Sequence, residues 1–303
     1  MLLLTEETVY QNPLKNPIWI GLLIIVVPLL TMTLLNKPKS HRICLWLMVF
    51  WICHIKKPYY MELFFIPYRG VDRGFGIAIS DFFFFAYLFS LLLSRDKIRV
   101  WWPKNFFWMW CLVIIAFLSL TNSANPYYGL FSIHKLVRGI ILYWVMANVV
   151  RDRKDVETVV SALAFAILFQ TYHVLFDKYV THRVVHRSLG TFTHPNSLAM
   201  YFNIILPVLL CLLLIGKDGK HQIYLGFVLL CGMVSVVFTK SRGALFMMLA
   251  GLMMTASLSF FIKPTWQKLK LLIVGFCVVL VLGALVAPKI ISRFKNAPKA
   301  SEE

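Results

Sequence analysis

The sequence predicts an all-α polytopic membrane protein, a bundle of nine or ten transmembrane helices. Three observations predict it. Hydrophobic residues make up 59% of the 303 residues and charged residues 15%, whereas a soluble domain is about half apolar and about a quarter charged. Mean hydropathy is +0.74. The apolar residues also gather into runs close to the roughly 20 residues that cross a bilayer as a helix.

In chain order the runs cover 18–35, 43–55, 75–93, 106–121, 133–150, 156–176, 197–215, 222–239, 243–262 and 270–288. Nine read as spans. The run at 43–55 is short: it tilts, extends through Tyr59 to Ile66, or lies at the interface. The expected organisation is a transmembrane domain over 1–288 and an external loop or tail over 289–303. Glu6 and Glu7 near the start, and a long first run, do not match a cleavable signal peptide.

Charge sets the expected orientation. The loop at 122–132 has no Lys or Arg, while Arg95, Lys97, Arg99 and Lys104 precede it and Arg151, Arg153 and Lys154 follow it. By the positive-inside rule the flanking loops are cytoplasmic and the uncharged one external. Alternation then places 177–196, 240–242 and the tail from 289 outside, and 216–221 and 263–269 inside. The N-terminus is cytoplasmic if 43–55 does not span and external if it does. This orientation leaves Lys178, Arg183, Arg187, Lys240, Arg242, Lys289, Arg293, Lys295 and Lys299 outside, against the rule. An anionic ligand is one reason to keep them there; a reversed topology is the other.

The net charge is +18, from 31 Lys and Arg against 13 Asp and Glu. Anchoring to anionic headgroups and topology control account for much of such an excess. The charges are scattered through short loops with no basic domain, which argues against nucleic acid. Cys44, Cys53, Cys111, Cys211, Cys231 and Cys277 sit inside apolar runs and read as small apolar fillers. His182, His186 and His194 share one loop but have no further ligands at metal-site spacing, so no metal or other cofactor is expected.

Two breaks between apolar runs carry the candidate chemistry. The first is Arg187 to Asn196, R-S-L-G-T-F-T-H-P-N. Pro195 suits a first helical turn and Asn196 or Ser197 suits the cap. The exposed N–H groups and dipole of such a helix start attract an anion. Arg187 adds a planar fork matched to phosphate, and Gly190 permits a sharp turn or a close backbone approach. The second break is Lys240-Ser241-Arg242-Gly243. Ser241 is placed to cap the span opening near Gly243. Arg242 sits where the macrodipole disfavours a cation unless an anion lies between them. Arg138 lies about one and a half turns inside the run 133–150, a depth at which ionisable groups usually face the bundle interior. It is expected to face the same cavity as Arg187 and Arg242. Asp81 and Glu157 are weaker candidates. On the residues alone, each feature also fits an ordinary interhelical turn with snorkelling side chains.

The phrase R-S-L-G-T-F-T-H-P-N-S-L-A-M-Y, followed about 40 residues later by F-T-K-S-R-G-A-L, resembles the core of the O-antigen ligase-like (O-antigen ligase/polymerase) membrane family. The resemblance covers about 183–262, and P-Y-R-G-V-D-R-G at 67–74 adds little to it. It implies a metal-independent glycosyltransferase of GT-C type in the bacterial cytoplasmic membrane. Such an enzyme takes a glycan from an undecaprenyl diphosphate carrier at the external face and transfers it to an acceptor such as lipid A-core. Arg187 and Arg242 match the family's diphosphate-binding arginines. The family's catalytic His lies in a long external loop that would begin near Ser292 to Glu303. No catalytic residue is assigned, and the reading is of such an enzyme or of a truncated or inactive form of it. The alternatives are a polysaccharide polymerase of the same superfamily, and a transporter or non-catalytic membrane protein. Neither Arg183 nor Arg187 is followed by ten residues and then Gly, as polymerases often show.

Overall fold

The computed structural model describes residues 15–37, 39–54, 60–68, 71–94, 100–123, 126–180, 187–216, 219–266, 268–270, 272–273 and 275. These residues are overwhelmingly helical, as the composition requires. Nine helices are described: α1 (Lys15–Asn36), α2 (Ser40–Trp51), α3 (Ile79–Leu93), α4 (Phe106–Leu118), α5 (Pro126–Val149), α6 (Arg153–Tyr179), α7 (Pro195–Ile215), α8 (Gly219–Phe238) and α9 (Arg242–Ile262). A 3₁₀ turn, Ser119–Asn122, extends α4.

Six helical segments are long and apolar enough to cross a membrane: Pro17–Asn36, Gly129–Val149, Arg153–Tyr179, Pro195–Ile215, Gly219–Phe238 and Arg242–Ile262. The runs at 75–93 and 106–121 give shorter apolar helices, Ile79–Leu93 and Phe106–Asn122. The run at 43–55 gives the 12-residue α2. Most of the run at 270–288, and all of the tail at 289–303, lie outside the described residues.

One element departs from an all-helical reading. Tyr60–Tyr68 (β1) and Val71–Ala78 (β2) form an antiparallel hairpin, with Tyr60 opposite Ala78, Tyr68 opposite Val71, and an irregularity between Glu62 and Phe64. The short run therefore does not continue as helix to Ile66, and α3 starts at Ile79 rather than 75. The segments are rich in aromatic and β-branched residues, and β2 carries Gly74 and Gly76. The aromatic and β-branched residues fit a pleat, and the glycines oppose a helix. The other shift is at α5, which starts at Pro126, seven residues before the apolar run. Pro is preorganised for a first turn, and Tyr127 and Tyr128 hide the helix from a hydropathy reading.

Two large apolar clusters hold the bundle, and a third, of Val113, Ile133 and Ile140, joins α4 to α5. In one, Leu198, Phe202, Leu206 and Leu209 of α7 are fully buried at helical spacing, against Ile167 of α6 and Leu225, Val228 and Val236 of α8. The α7–α8 approach is close: a Cβ on Gly232 would lie 2.5 Å from Leu206 Cδ2. In the other cluster, Leu45 and Met48 of α2 meet Phe84, Tyr87 and Leu91 of α3 with Trp144 and Val145 of α5. Thr31 of α1 donates to Val27 O at 2.8 Å and reaches Ala86 O of α3 at 3.4 Å, which satisfies a hydroxyl that an apolar environment would otherwise penalise. Many large apolar side chains face outward, among them Ile24 and Leu29 of α1 and Phe246, Met253 and Phe261 of α9. Exposed apolar surface of this extent belongs in lipid.

The start of α2 is pinned to the start of α6. Arg42 Nη2 lies 3.3 Å from Asp152 Oδ2, Arg42 Nε 3.6 Å from Asp155 Oδ1, and His41 Nε2 3.5 Å from Asp155 Oδ1. Asp152 caps α6, its carboxylate accepting from Asp155 N at 2.7 Å. Past the other end of α2, Cys53 O accepts from Gln170 Nε2 at 3.3 Å and from Thr191 Oγ1 at 3.2 Å. This brings the candidate loop onto α2 and α6.

Candidate functional site

The loop before α7 is built around a left-handed residue and a buried amide. Gly190 has φ +57, a conformation that costs an L-residue about 1–2 kcal/mol. A Cβ there would also lie 2.6 Å from Gln170 Oε1. Gln170, fully buried on α6, accepts from Thr191 N at 3.0 Å and donates to Thr191 Oγ1 as well as to Cys53 O. Its amide therefore uses both ends to hold the loop. Gly190→Ala is expected to destabilise the protein by about 2 kcal/mol or more, from the backbone term and the displaced amide together; thermal unfolding in detergent reads this directly.

The loop is also clipped to the end of α8. Ser188 N donates to Phe238 O at 3.3 Å, and Arg187 Nε donates to Thr239 O at 2.9 Å. A second guanidinium nitrogen of Arg187 donates to Asn196 Oδ1. Arg187 thus caps the carbonyl end of α8, where a cation is favoured, and braces the first turn of α7. These bonds use two of the five guanidinium donors; the other three make no hydrogen bond among the described residues.

The α8–α9 turn completes the arrangement. Lys240 has φ 51, and its N–H donates to Val237 O at 3.0 Å. Helices commonly end on such a left-handed residue, but it is usually Gly. A Lys there holds backbone strain, and strain of this kind clusters at binding sites. Ser241 stands at the N-cap position of α9 with extended backbone. Its carbonyl accepts from Leu245 N at 3.1 Å, but its hydroxyl makes no capping bond. The first four N–H groups of a helix, counted from the cap, have no intrahelical acceptor, so the N–H ends of Gly243 and Ala244 point along the dipole beside Arg242.

Arg187, Asn196, Lys240, Ser241 and Arg242 line one cleft of about 360 Å³. Three cations and the N-terminal ends of α7 and α9 converge there, with no carboxylate in the lining. An anion with several oxygens fits such a site by charge and by donor count. Lys240→Gly is expected to relieve the backbone strain of the left-handed residue, about 1 kcal/mol, while weakening anion binding. A melting curve and an anion titration on the same variant separate the two effects.

The sequence-derived residues divide as follows. Arg187, Arg242, Asn196 and Ser241 come together. Gly190 lies in the same loop and supplies the sharp turn, not the cleft wall. Gly243 does not line the cleft, and a Cβ on it would meet nothing within 4 Å. Arg138 also does not line it. Its guanidinium pairs with Asp81 at the start of α3, and the Asp81 carboxylate also accepts from Ala78 N at 2.7 Å. Arg138 therefore joins α5 to α3. Arg138→Met is expected to cost about 3 kcal/mol, because it leaves Asp81 buried without its cation, and to leave anion affinity at the cleft unchanged.

The cap of α7 also differs from expectation. His194 is the N-cap, its Nδ1 accepting from Asn196 N at 3.1 Å, and Pro195 opens the helix. Asn196 is freed from capping and receives Arg187. Gln170 was not singled out by the sequence, and Lys240 was named within the second break without a role of its own. A lone Gln inside an apolar run is a usable signal for the first. Among the described residues no group of three or more His, Cys, Asp or Glu could hold a metal.

Six helices of membrane-crossing length and composition, with apolar faces turned outward, define a multi-pass helical membrane protein. No protein-family model, curated protein or solved structure matches the chain.

Proposed function

We propose that the protein is an O-antigen ligase-like glycosyltransferase, or the donor-binding part of one, in the bacterial cytoplasmic membrane. Its ligand is an undecaprenyl diphosphate-linked glycan, held at the external face with the diphosphate in the cleft of Arg187, Lys240 and Arg242. The observation that carries this reading is the convergence of those three cations with two helix N-termini at one end of an apolar bundle. The resemblance of R-S-L-G-T-F-T-H-P-N and K-S-R-G to the family's donor-binding motifs supports the same ligand. Lipid surrounding the helices gives a polyprenyl chain a place to lie beside the cleft.

In this reading the protein's residues act on the leaving group. Diphosphate departs as an anion, and preorganised guanidinium and N–H donors stabilise the charge as it develops, without a metal. Arg187 is held in place by Thr239 O and Asn196 before ligand arrives, so little ordering cost remains. The acceptor, such as lipid A-core, is activated by a base not assigned to any residue here. The test is glycan transfer from a lipid-linked donor in membranes. Arg242→Ala is expected to abolish transfer at unchanged membrane level, and transfer at the wild-type rate would reject the reading.

A further inference from the structure

A second groove lies at the opposite end of α6, where α2 also begins. Arg42 and Lys154 stand at its mouth, Ile43, Trp46 and Leu47 form its apolar wall, and Ser161 lies deeper, in a volume of about 610 Å³. The lining positions recur three and four apart on both helices, so each contributes one face. Trp46 is fixed by its indole N–H, which donates to Ser161 Oγ at 3.3 Å, and by Phe165, whose ring centroid lies 5.3 Å away. The α2 wall thus runs from charged Arg42 to apolar Ile43, Trp46 and Leu47, and faces the polar α6 wall of Lys154, Glu157, Thr158 and Ser161.

The charge at the mouth is positive on balance. Of the charged residues that line it, Arg42 and Lys154 stand against Glu157, and the sequence on either side of them carries Lys37, Lys39, Arg151 and Arg153 against Asp152 and Asp155. Arg42 is shared between Asp152 and Asp155. Glu157 also lines the groove, but its carboxylate is held at 3.0 Å by Arg153, which does not. Lys154 forms no ion pair among the described residues and is exposed.

We propose that this groove binds one anionic phospholipid, with the phosphate between Arg42 and Lys154 and an acyl chain along Ile43, Trp46 and Leu47 toward Phe165. Cations at the headgroup level and an apolar wall below match a phospholipid standing as it does in a leaflet. A zwitterionic lipid brings an ammonium group to the same cations and is disfavoured. The site lies at the other end of α6 from the Arg187–Arg242 cleft and does not rest on the function proposed for it.

The test is native mass spectrometry of the full chain in detergent, with phosphatidylglycerol or phosphatidylcholine of the same acyl chains. The wild type is expected to retain one phosphatidylglycerol in preference to phosphatidylcholine. Lys154→Gln is expected to lower phosphatidylglycerol retention about five-fold, the effect of one juxtamembrane cation, with phosphatidylcholine unchanged. Trp46→Ala lowers both, and soluble glycerol phosphate does not compete. Equal retention of the two lipids, wild-type retention by Lys154→Gln, or displacement by glycerol phosphate each overturns the proposal. Lys154 is solvent-facing, so its replacement leaves the fold intact.

Discussion

Arg187→Ala and Arg242→Ala are each expected to lower affinity for a polyprenyl diphosphate by about 10- to 100-fold, the effect of losing charge-assisted hydrogen bonds worth about 1.5–3 kcal/mol. The two variants differ in what else they lose. Arg242 stands in the first turn of α9, where a cation opposes the dipole. Arg242→Ala therefore also removes a charge that the dipole of α9 disfavours. Arg187 caps Thr239 O and braces Asn196, so Arg187→Ala also loosens the contact between the loop and α8. Arg187→Lys separates the roles: it keeps a charge but not the fork. It is expected to retain part of the affinity and lose the brace. Titration with the diphosphate lipid and melting in its absence, on all three variants, read both quantities.

Gln170→Leu is expected to have the largest effect on stability, about 2–4 kcal/mol. The side chain is fully buried and its amide serves Thr191 N, Thr191 Oγ1 and Cys53 O. Removing it leaves buried polar groups without partners, each costing about 1–3 kcal/mol. The effect should reach the cleft, because the same loop carries Arg187 three residues before Gly190. A double-mutant cycle with Thr191→Val checks the assignment. If Gln170 acts through Thr191, the two changes together cost clearly less than their sum. Additive losses would place the role of Gln170 elsewhere.

The long helices were legible because a bilayer imposes one length and one composition on any segment that crosses it. The starts of α7 and α9 were legible for local reasons: Pro195 cannot continue a preceding helix, and Ser-Arg-Gly interrupts an apolar run. The Tyr60–Ala78 hairpin was not, because a hydropathy window reads aromatic and β-branched residues alike in strand and helix. Arg138 was misjudged for a different reason. Depth within a span flags an ionisable residue but does not name its partner, and Asp81 is 57 positions away in sequence. The cap of α7 turned on a choice among neighbours, with His194, Asn196 and Ser197 all able to accept an N–H. His194 takes the bond, and Asn196 becomes the acceptor for Arg187. Gln170 lay unremarked in an apolar run whose length alone had defined it.

The central claim is that the cleft of Arg187, Lys240 and Arg242 recognises a lipid diphosphate. It is tested most directly by titrating the purified protein, in lipid nanodiscs, with undecaprenyl diphosphate, undecaprenyl phosphate and undecaprenol. The predicted result is an affinity that falls in that order, with the preference for diphosphate removed in the Arg187→Lys, Arg242→Ala double variant. Equal binding of the three lipids, or a double variant with undiminished preference for the diphosphate, would contradict it.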